Sequence, residues 1–238
     1  MIITIDGPAG VGKSTAAAAL AKAIGFKFLN TGAMYRCVTL AAIQHAIPLS
    51  ERRRISDLAR SLKFVQKGSK ILLNGDEVTQ RIRQPDIDQG VSKIAKIPAV
   101  RKTMIQWQRE FAQRKNVVTE GRDQGTEAFP EAECKIFLTA SAKVRATRRA
   151  REMALKHIPV NFPKVLKEIQ IRDFKDKNRK VGALRKAKGA EVLNSSHLDK
   201  DQVLQALLDI VRQQAPTLSR REAKRSKSPA KKSPSQNK

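Results

Sequence analysis

Eight consecutive residues, Gly7-Pro-Ala-Gly-Val-Gly12-Lys13-Ser14, satisfy the pattern G-x-x-x-x-G-K-[ST] without a gap. In such a loop the glycines let the backbone turn tightly, so that its N–H groups point at phosphate oxygens. The amino end of the following helix adds a favourable dipole. Lys13 would reach the β- and γ-phosphates as a point charge, and the Ser14 hydroxyl would sit on Mg²⁺. The candidate ATP-binding set is therefore Gly7, Pro8, Ala9, Gly10, Val11, Gly12, Lys13, Ser14 and Thr15, with Ser14 as the candidate metal ligand. ATP and Mg²⁺ are the expected cofactors. The loop does not say what accepts the phosphoryl group. No Asn-Lys-x-Asp element is present to read a guanine base. The chain is also short for a motor ATPase and lacks a second hydrophobic strand ending in Asp-Glu. The residues just beyond the loop point to a small-molecule kinase.

Phosphoryl transfer asks little covalent chemistry of the protein. It needs positioning, and cations around the transferring oxygens. Arg and Lys clusters should then converge on the loop, and they are abundant. Thr31-Gly-Ala-Met-Tyr-Arg36 offers a hydroxyl at a helix start and an arginine, enough to clamp a phosphate monoester, although an ordinary capped helix would read the same way. Glu120-Gly-Arg122-Asp123 closes a strand, where ligands bind in open α/β sheets. Arg122 can grip phosphate with two bonds, and Asp123 can accept from a base amino group. Lys143, Arg145, Arg148, Arg149 and Arg151 follow, with Arg145, Arg148 and Arg149 on one helix face. The run Arg172-Asp173-Phe-Lys175-Asp176-Lys-Asn-Arg179 supplies more cations. Two basic helix ends facing across a short loop would form a lid over a triphosphate. Asp176 is either a salt-bridge partner there or an acceptor for a ribose hydroxyl. His45, His157 and His197 stand alone, without nucleophile partners.

These residues need elements to hold them. Ile2–Ile5, Phe26–Leu29, Asn116–Glu120, Lys135–Thr139 and Ala190–Asn194 read as short buried strands. Helical stretches alternate with them, beginning with the Ala-rich Lys13–Ile24. Asp199 and Gln202 form a capping pair for a last helix, whose apolar positions are Val203, Leu204, Leu207, Leu208 and Val211. Trp107, in a helical stretch over Ile97–Arg114, reads as packing. The alternation predicts a parallel sheet with helices on both faces. One stretch breaks it. Leu62–Val65 and Ile71–Leu73, with Asn74-Gly75 beyond, suggest a small antiparallel hairpin inserted into the α/β core.

The 238 residues carry a net charge of +26, with 40% hydrophobic and 4% aromatic residues. That apolar share is enough for a real core, and no run approaches the ~20 apolar residues that span a bilayer. Cys37 and Cys134 are too few for a disulfide framework. A cytoplasmic protein without membrane contact is expected. Residues 216–238 hold eight bases and one acid, so +7 of the charge lies there and +19 on residues 1–215. The terminal segment is expected to be a disordered basic tail, suited to nucleic acid or another polyanion.

The motifs together resemble bacterial cytidylate kinase, of the P-loop nucleoside monophosphate kinase group. The resemblance runs over nearly all of residues 1–210. It rests on Ile5-Asp-Gly-Pro-Ala-Gly-Val-Gly-Lys-Ser14, Thr31–Arg36, Gly75-Asp-Glu-Val-Thr79 with Ile82-Arg83, and Val91-Ser92 with Pro98-Ala-Val-Arg101. It continues through Glu120-Gly-Arg-Asp-Gln-Gly-Thr126, Lys135–Leu138, Arg148-Arg149, Val160-Asn-Phe162 and Arg172-Asp-x-x-Asp-x-x-Arg179. It implies a P-loop three-layer sandwich with a five-stranded parallel sheet, an antiparallel insert that binds the monophosphate, and a short helical lid. Residues 1–215 would form one kinase domain, with the insert at 60–100 and the lid at 145–165, and a monomer is expected. The implied reaction is ATP with CMP or dCMP, giving ADP with CDP or dCDP.

By the same resemblance Thr31, Arg36, Ser92, Arg101, Arg122, Asp123, Arg172, Asp176 and Arg179 would bind the acceptor. Arg36, Arg122 and Arg172 would hold its phosphate. Ser92, Arg101 and Asp123 would read cytosine, with Arg179 nearby, and Asp176 would accept from the sugar. Lys13, Arg122, Asp123, Arg148, Arg149 and Arg172 would be the catalytic set. Ala183-Leu184, Gly189-Ala190 and Asn194 depart from the family's Pro-Leu, Asp-Ala and Asp, near where the adenine is expected. A P-loop kinase for another small acceptor, or a nucleic-acid-binding protein on a kinase fold, are the alternatives.

Overall fold

The computed structural model describes residues 1–155 and 157–215. The expected tail at 216–238 lies outside the described residues. The elements run β1 (Ile2–Asp6), α1 (Lys13–Ala23), β2 (Lys27–Asn30), α2 (Thr31–Gln44), α3 (Arg52–Ser61), β3 (Phe64–Lys67), β4 (Lys70–Leu73), β5 (Asp76–Glu77), α4 (Pro85–Ile94), α5 (Pro98–Ala112), β6 (Val117–Gly121), β7 (Cys134–Thr139), α6 (Ala142–Ala154), α7 (Phe162–Lys177), β8 (Glu191–Asn194) and α8 (Lys200–Gln214). The five expected strands are all present, shifted by a residue or so at their ends.

They form one parallel sheet in the order β2-β6-β1-β7-β8. Alternation along the strands sends side chains to opposite faces. Ile3 and Ile5 of β1, with Val118, Ile136 and Leu138, pack under α1 and α8. Leu29 and Val117 face the other way and join α2, α3, α4 and α5 in a second core. Helices thus cover both faces, which is what lets a parallel sheet be apolar throughout. The register is the point that matters for function. Asp6 at the end of β1 lies beside Gly121 of β6 and Phe137 of β7. The loops leaving three adjacent strands therefore open at one edge.

The inserted hairpin is a three-stranded antiparallel sheet, β3-β4-β5. Phe64 pairs with Leu73, and a third strand of two residues adds to the expected pair. Trp107 of α5 stacks on Phe64, with ring centroids 6.3 Å apart, and so fastens the insert to the main body. Cys37 and Cys134 are buried free thiols, both pushed up to about 12 by burial. All three histidines are exposed. Among the described residues no helix is long and apolar enough to cross a membrane.

One expectation is corrected by helix geometry. α6 and α7 form an antiparallel pair, so the end of α7 lies beside the beginning of α6. Arg145 meets Asp173 there, at 2.5 Å. The basic run 172–179 thus sits beside the start of α6, at the sheet edge, and not across the connecting loop from the end of α6.

The last helix has the expected cap. Asp199 accepts from the Asp201 and Gln202 backbone N–H groups, and Gln202 accepts from that of Asp199. Replacing Asp199 with Ala should cost about 1 kcal/mol and lower Tm by about 2–4 °C in thermal unfolding.

Candidate active site

The P-loop leads from β1 into α1. Gly10 and Gly12 have φ of 74° and 92°, a region that strains residues with side chains. α1 begins with no side-chain cap and no acid in its first turn. Its amino-terminal N–H groups and positive dipole end are therefore available to an anion. Lys13 is buried and its Nζ donates to the Pro8 carbonyl at 2.7 Å, so the side chain folds back along the loop. Burial, and then the Arg122 guanidinium, push this ammonium down to about 7. Asp6 below it is pushed up to about 7 by burial, against the N–H groups of Gly125 and Gln124, which both donate to it.

α6 holds the loop from outside. Buried Arg145 donates to the Ala9 carbonyl at 3.0 Å and to the Ala140 carbonyl at 2.9 Å, while Asp173 takes its remaining charge. Arg148 donates to the Val11 carbonyl at 3.3 Å and the Ser195 carbonyl at 2.6 Å. Thus Arg145 is a strut, and Arg148 lies between the loop and the end of β8. The departing residue Asn194 is also at that end, exposed, where its Oδ1 accepts from Ser196. Leu184, after Ala183, donates its N–H to the Asp176 carbonyl, and Gly189 is exposed between them.

Ser14 Oγ donates to Glu120 Oε1 at 2.9 Å. Glu120 received no role of its own from sequence. Its signal was position, an acid at a strand's carboxyl end beside the P-loop. The donor set, a hydroxyl and a carboxylate, is all oxygen and suits a hard cation such as Mg²⁺. Among the described residues no group of three or more His, Cys, Asp and Glu could form a closed metal cage. An ion here would take most of its ligands from phosphate and water.

A second lobe lies beyond β6 and contains most of the expected acceptor residues. Asp176 is buried between two arginines. Arg122 Nε donates to it at 2.8 Å, and Arg179 donates to its other oxygen. Burial works to raise Asp176, but Arg122 and Arg179 more than offset it, and its carboxyl lies below the usual range. Asp123 is the opposite case. Burial dominates over the partner Arg101, the Glu127 carboxylate adds to it, and Asp123 is raised. Arg101 bonds Asp123, faces Glu127 at 3.6 Å, and lies over the Tyr35 ring. The Nε atoms of Arg101 and Arg179 are buried without a partner.

Arg36 of α2 pairs with Asp88 of α4 at 2.5 Å and donates to the Ile82 carbonyl. Arg149, half-exposed on α6, reaches the same Asp88 at 3.9 Å. Arg172 makes no ion pair with any described residue. Burial and the nearby Arg122 push it down, against the Asp176 and Asp88 carboxylates, which act on it from beyond ion-pair distance. Ser92 stands one helical turn beyond Asp88 on α4, half-buried. Thr31 is a different matter. Its hydroxyl donates to the Glu120 carbonyl at 2.6 Å, and the cap of α2 is Asn30, not Thr31. The Thr31 hydroxyl ties the start of α2 to β6, and its one proton is committed there.

The arrangement has two anion lobes, a P-loop and an arginine nest. It can bring two phosphates together. The family model for cytidylate kinase matches residues 3–213. The chain is 42% identical over 210 residues to the cytidylate kinase of Caldanaerobacter subterraneus, covering 88% of this chain and 94% of that one. It is 42% identical over 214 residues to the cytidylate kinase of Vibrio cholerae, covering 88% and 95%. A solved structure of an uncharacterized Eubacterium ventriosum protein shares the fold, with a TM-score of 0.51 at 11% identity, over 89% of this chain and 98% of that one.

A polyphosphate seated in the P-loop should restore the Lys13 charge. Proton uptake is then expected on nucleotide binding at pH 8, above the depressed value near 7, and affinity should fall as pH rises through 7–8. Calorimetry in two buffers of different ionisation enthalpy measures it; equal heats in both would show Lys13 already charged.

Proposed function

The chain belongs to the cytidylate kinase family, and on that premise we propose how its own residues carry the reaction. It is a nucleoside monophosphate kinase that phosphorylates CMP or dCMP from ATP, giving CDP or dCDP and ADP. An oxygen of the acceptor phosphate attacks the γ-phosphorus, the bond to the β–γ bridging oxygen breaks, and its electron pair leaves with ADP.

The P-loop residues 7–15 hold the donor. Lys13, Arg148 and Arg149 neutralise charge on the transferring group, which is where preorganised cations lower the barrier most. Arg36, Arg122 and Arg172 take the acceptor phosphate. The observation that carries this division is half-buried Arg172, which makes no ion pair among the described residues although Asp176 and Asp88 lie near enough to act on it. Asp123 accepts from the cytosine amino group. Arg101 and Ser92 donate to the carbonyl and ring nitrogen, and the orphaned Arg101 Nε supports that role. Asp176 accepts from the sugar, with Arg179 beside it. Mg²⁺ would be held by Ser14 with Glu120 behind it, and when bound it offsets phosphate charge. Residues 60–100 and 145–165 act as the acceptor insert and lid of one kinase domain. The two free buried thiols fit a cytoplasmic setting.

An acceptor panel of CMP, dCMP, UMP and AMP tests this reading; turnover of UMP or AMP equal to CMP would overturn it. Asp123→Asn should lower kcat/KM for CMP by about 100-fold or more, because a site built to accept a hydrogen bond is left mismatched. ATP binding should stay within about twofold of wild type if the two lobes bind independently.

The raised Asp123 also predicts a pH effect. Protonated Asp123 would donate to uracil O4, whereas the anion repels it. The preference for CMP over UMP should therefore narrow as pH falls from 8 towards 5.5. Because both acceptors carry the same phosphate, the ratio of their kcat/KM values isolates the carboxyl group.

A further inference from the structure

Asp88 stands where the reading above has no use for an anion. It projects from α4 into the group of cations assigned to the acceptor phosphate. One oxygen lies 2.5 Å from Arg36, the other 3.9 Å from Arg149. Its charge also acts on Arg172. Asp88 thus bridges α2 to α6, between the acceptor clamp and the helix expected to cover the donor.

Its position is set by packing. Ile87 beside it is fully buried in the core shared with α2. A Cβ at Gly90, one turn on, would stand 2.7 Å from Thr39 and 2.9 Å from Leu49. α4 therefore lies against α2 at a distance only glycine permits there, and this holds Asp88 opposite Arg36. The neighbouring acid Asp86 turns away to Arg81, at 2.6 Å. Asp88 alone of the two enters the site.

We propose that Asp88 is a built-in stand-in for the acceptor phosphate. With the site empty, its carboxylate holds Arg36 and Arg149 in place and limits their mutual repulsion. The incoming phosphate monoester must displace it, since one set of guanidinium donors cannot serve both anions fully. Asp88 is a positioning residue that keeps the clamp assembled at the expense of acceptor affinity. The inference rests on Arg36 binding phosphate, but not on cytosine being the base.

The test uses the full chain and its Asp88→Asn variant, which keeps shape and loses charge. Asp88→Glu serves as the charge-retaining control and Asp88→Ser as a second neutral variant. Inorganic phosphate is the first probe, titrated without nucleotide. It should bind about three- to tenfold more tightly to both neutral variants than to wild type, as expected for removing one competing ion pair. Asp88→Glu should stay near wild type. CMP should follow the same order, with a lower KM and no rise in kcat, while cytidine, which has no phosphate, should bind all four proteins alike. Unchanged or weaker phosphate binding in the neutral variants would overturn the proposal, and so would an equal gain for cytidine. If wild type fails to phosphorylate CMP, the acceptor assignment is wrong, while the phosphate titration still judges Asp88.

Discussion

Like charges crowd the carboxyl edge of the sheet, and the buried carboxylates among them make that crowding tolerable. Arg36, Arg101, Arg122, Arg149, Arg172 and Arg179 all point into one region. Isolated, such a set would repel itself, and each buried member would lose its hydration. Asp176 takes Arg122 and Arg179, Asp123 takes Arg101, and Asp88 takes Arg36 and Arg149. What is left among the described residues is Arg172, which makes no ion pair of its own, and two guanidinium Nε atoms without a partner. The site is thus positive by a controlled excess, placed where a phosphate and a base edge are expected.

The same interactions hold the fold together. Asp176 sits on α7, Arg122 follows β6, and Arg179 follows α7. Arg145 binds α6 to α7 through Asp173 and to the P-loop through Ala9. Ser14 binds α1 to β6 through Glu120. A phosphate-binding loop made of small residues has few side chains of its own to pack. It is held instead by donors and acceptors that reach it from two neighbouring elements, α6 and β6. Changes at Arg145 or Glu120 should accordingly be felt in the loop, though neither is part of the glycine-rich motif.

Much of this was legible before any coordinates. The P-loop pattern, strand alternation and the amphipathic last helix are local signals, fixed by spacing and by backbone chemistry. The hairpin showed because it broke that alternation, though its two-residue third strand was too short to show as a pattern. The contacts that spacing does not show depend on direction. Arg145, Arg148 and Arg149 lie within a few residues of each other, yet Arg145 is a buried strut against Ala9, Arg148 reaches Val11 and Ser195, and Arg149 extends to Asp88 of α4. Thr31 donates to the Glu120 carbonyl, and Asn30 caps the helix.

The sequence by itself determined the kinase fold, the donor loop and the identity of the charged residues, because those follow from motif spacing and from patterns a few residues long. Only the tertiary structure decided which charges face each other. Asp88 and Arg36 are distant in the chain and meet because α4 packs on α2. Arg145 and Asp173 meet because two helices run antiparallel. Asp123 and Asp176 are both buried aspartates, yet one is raised and the other lowered. Three guanidinium groups act on each, but burial and the Glu127 carboxylate outweigh them at Asp123, whereas at Asp176 they prevail with the help of the Arg122 hydrogen bond, and no local pattern records that balance.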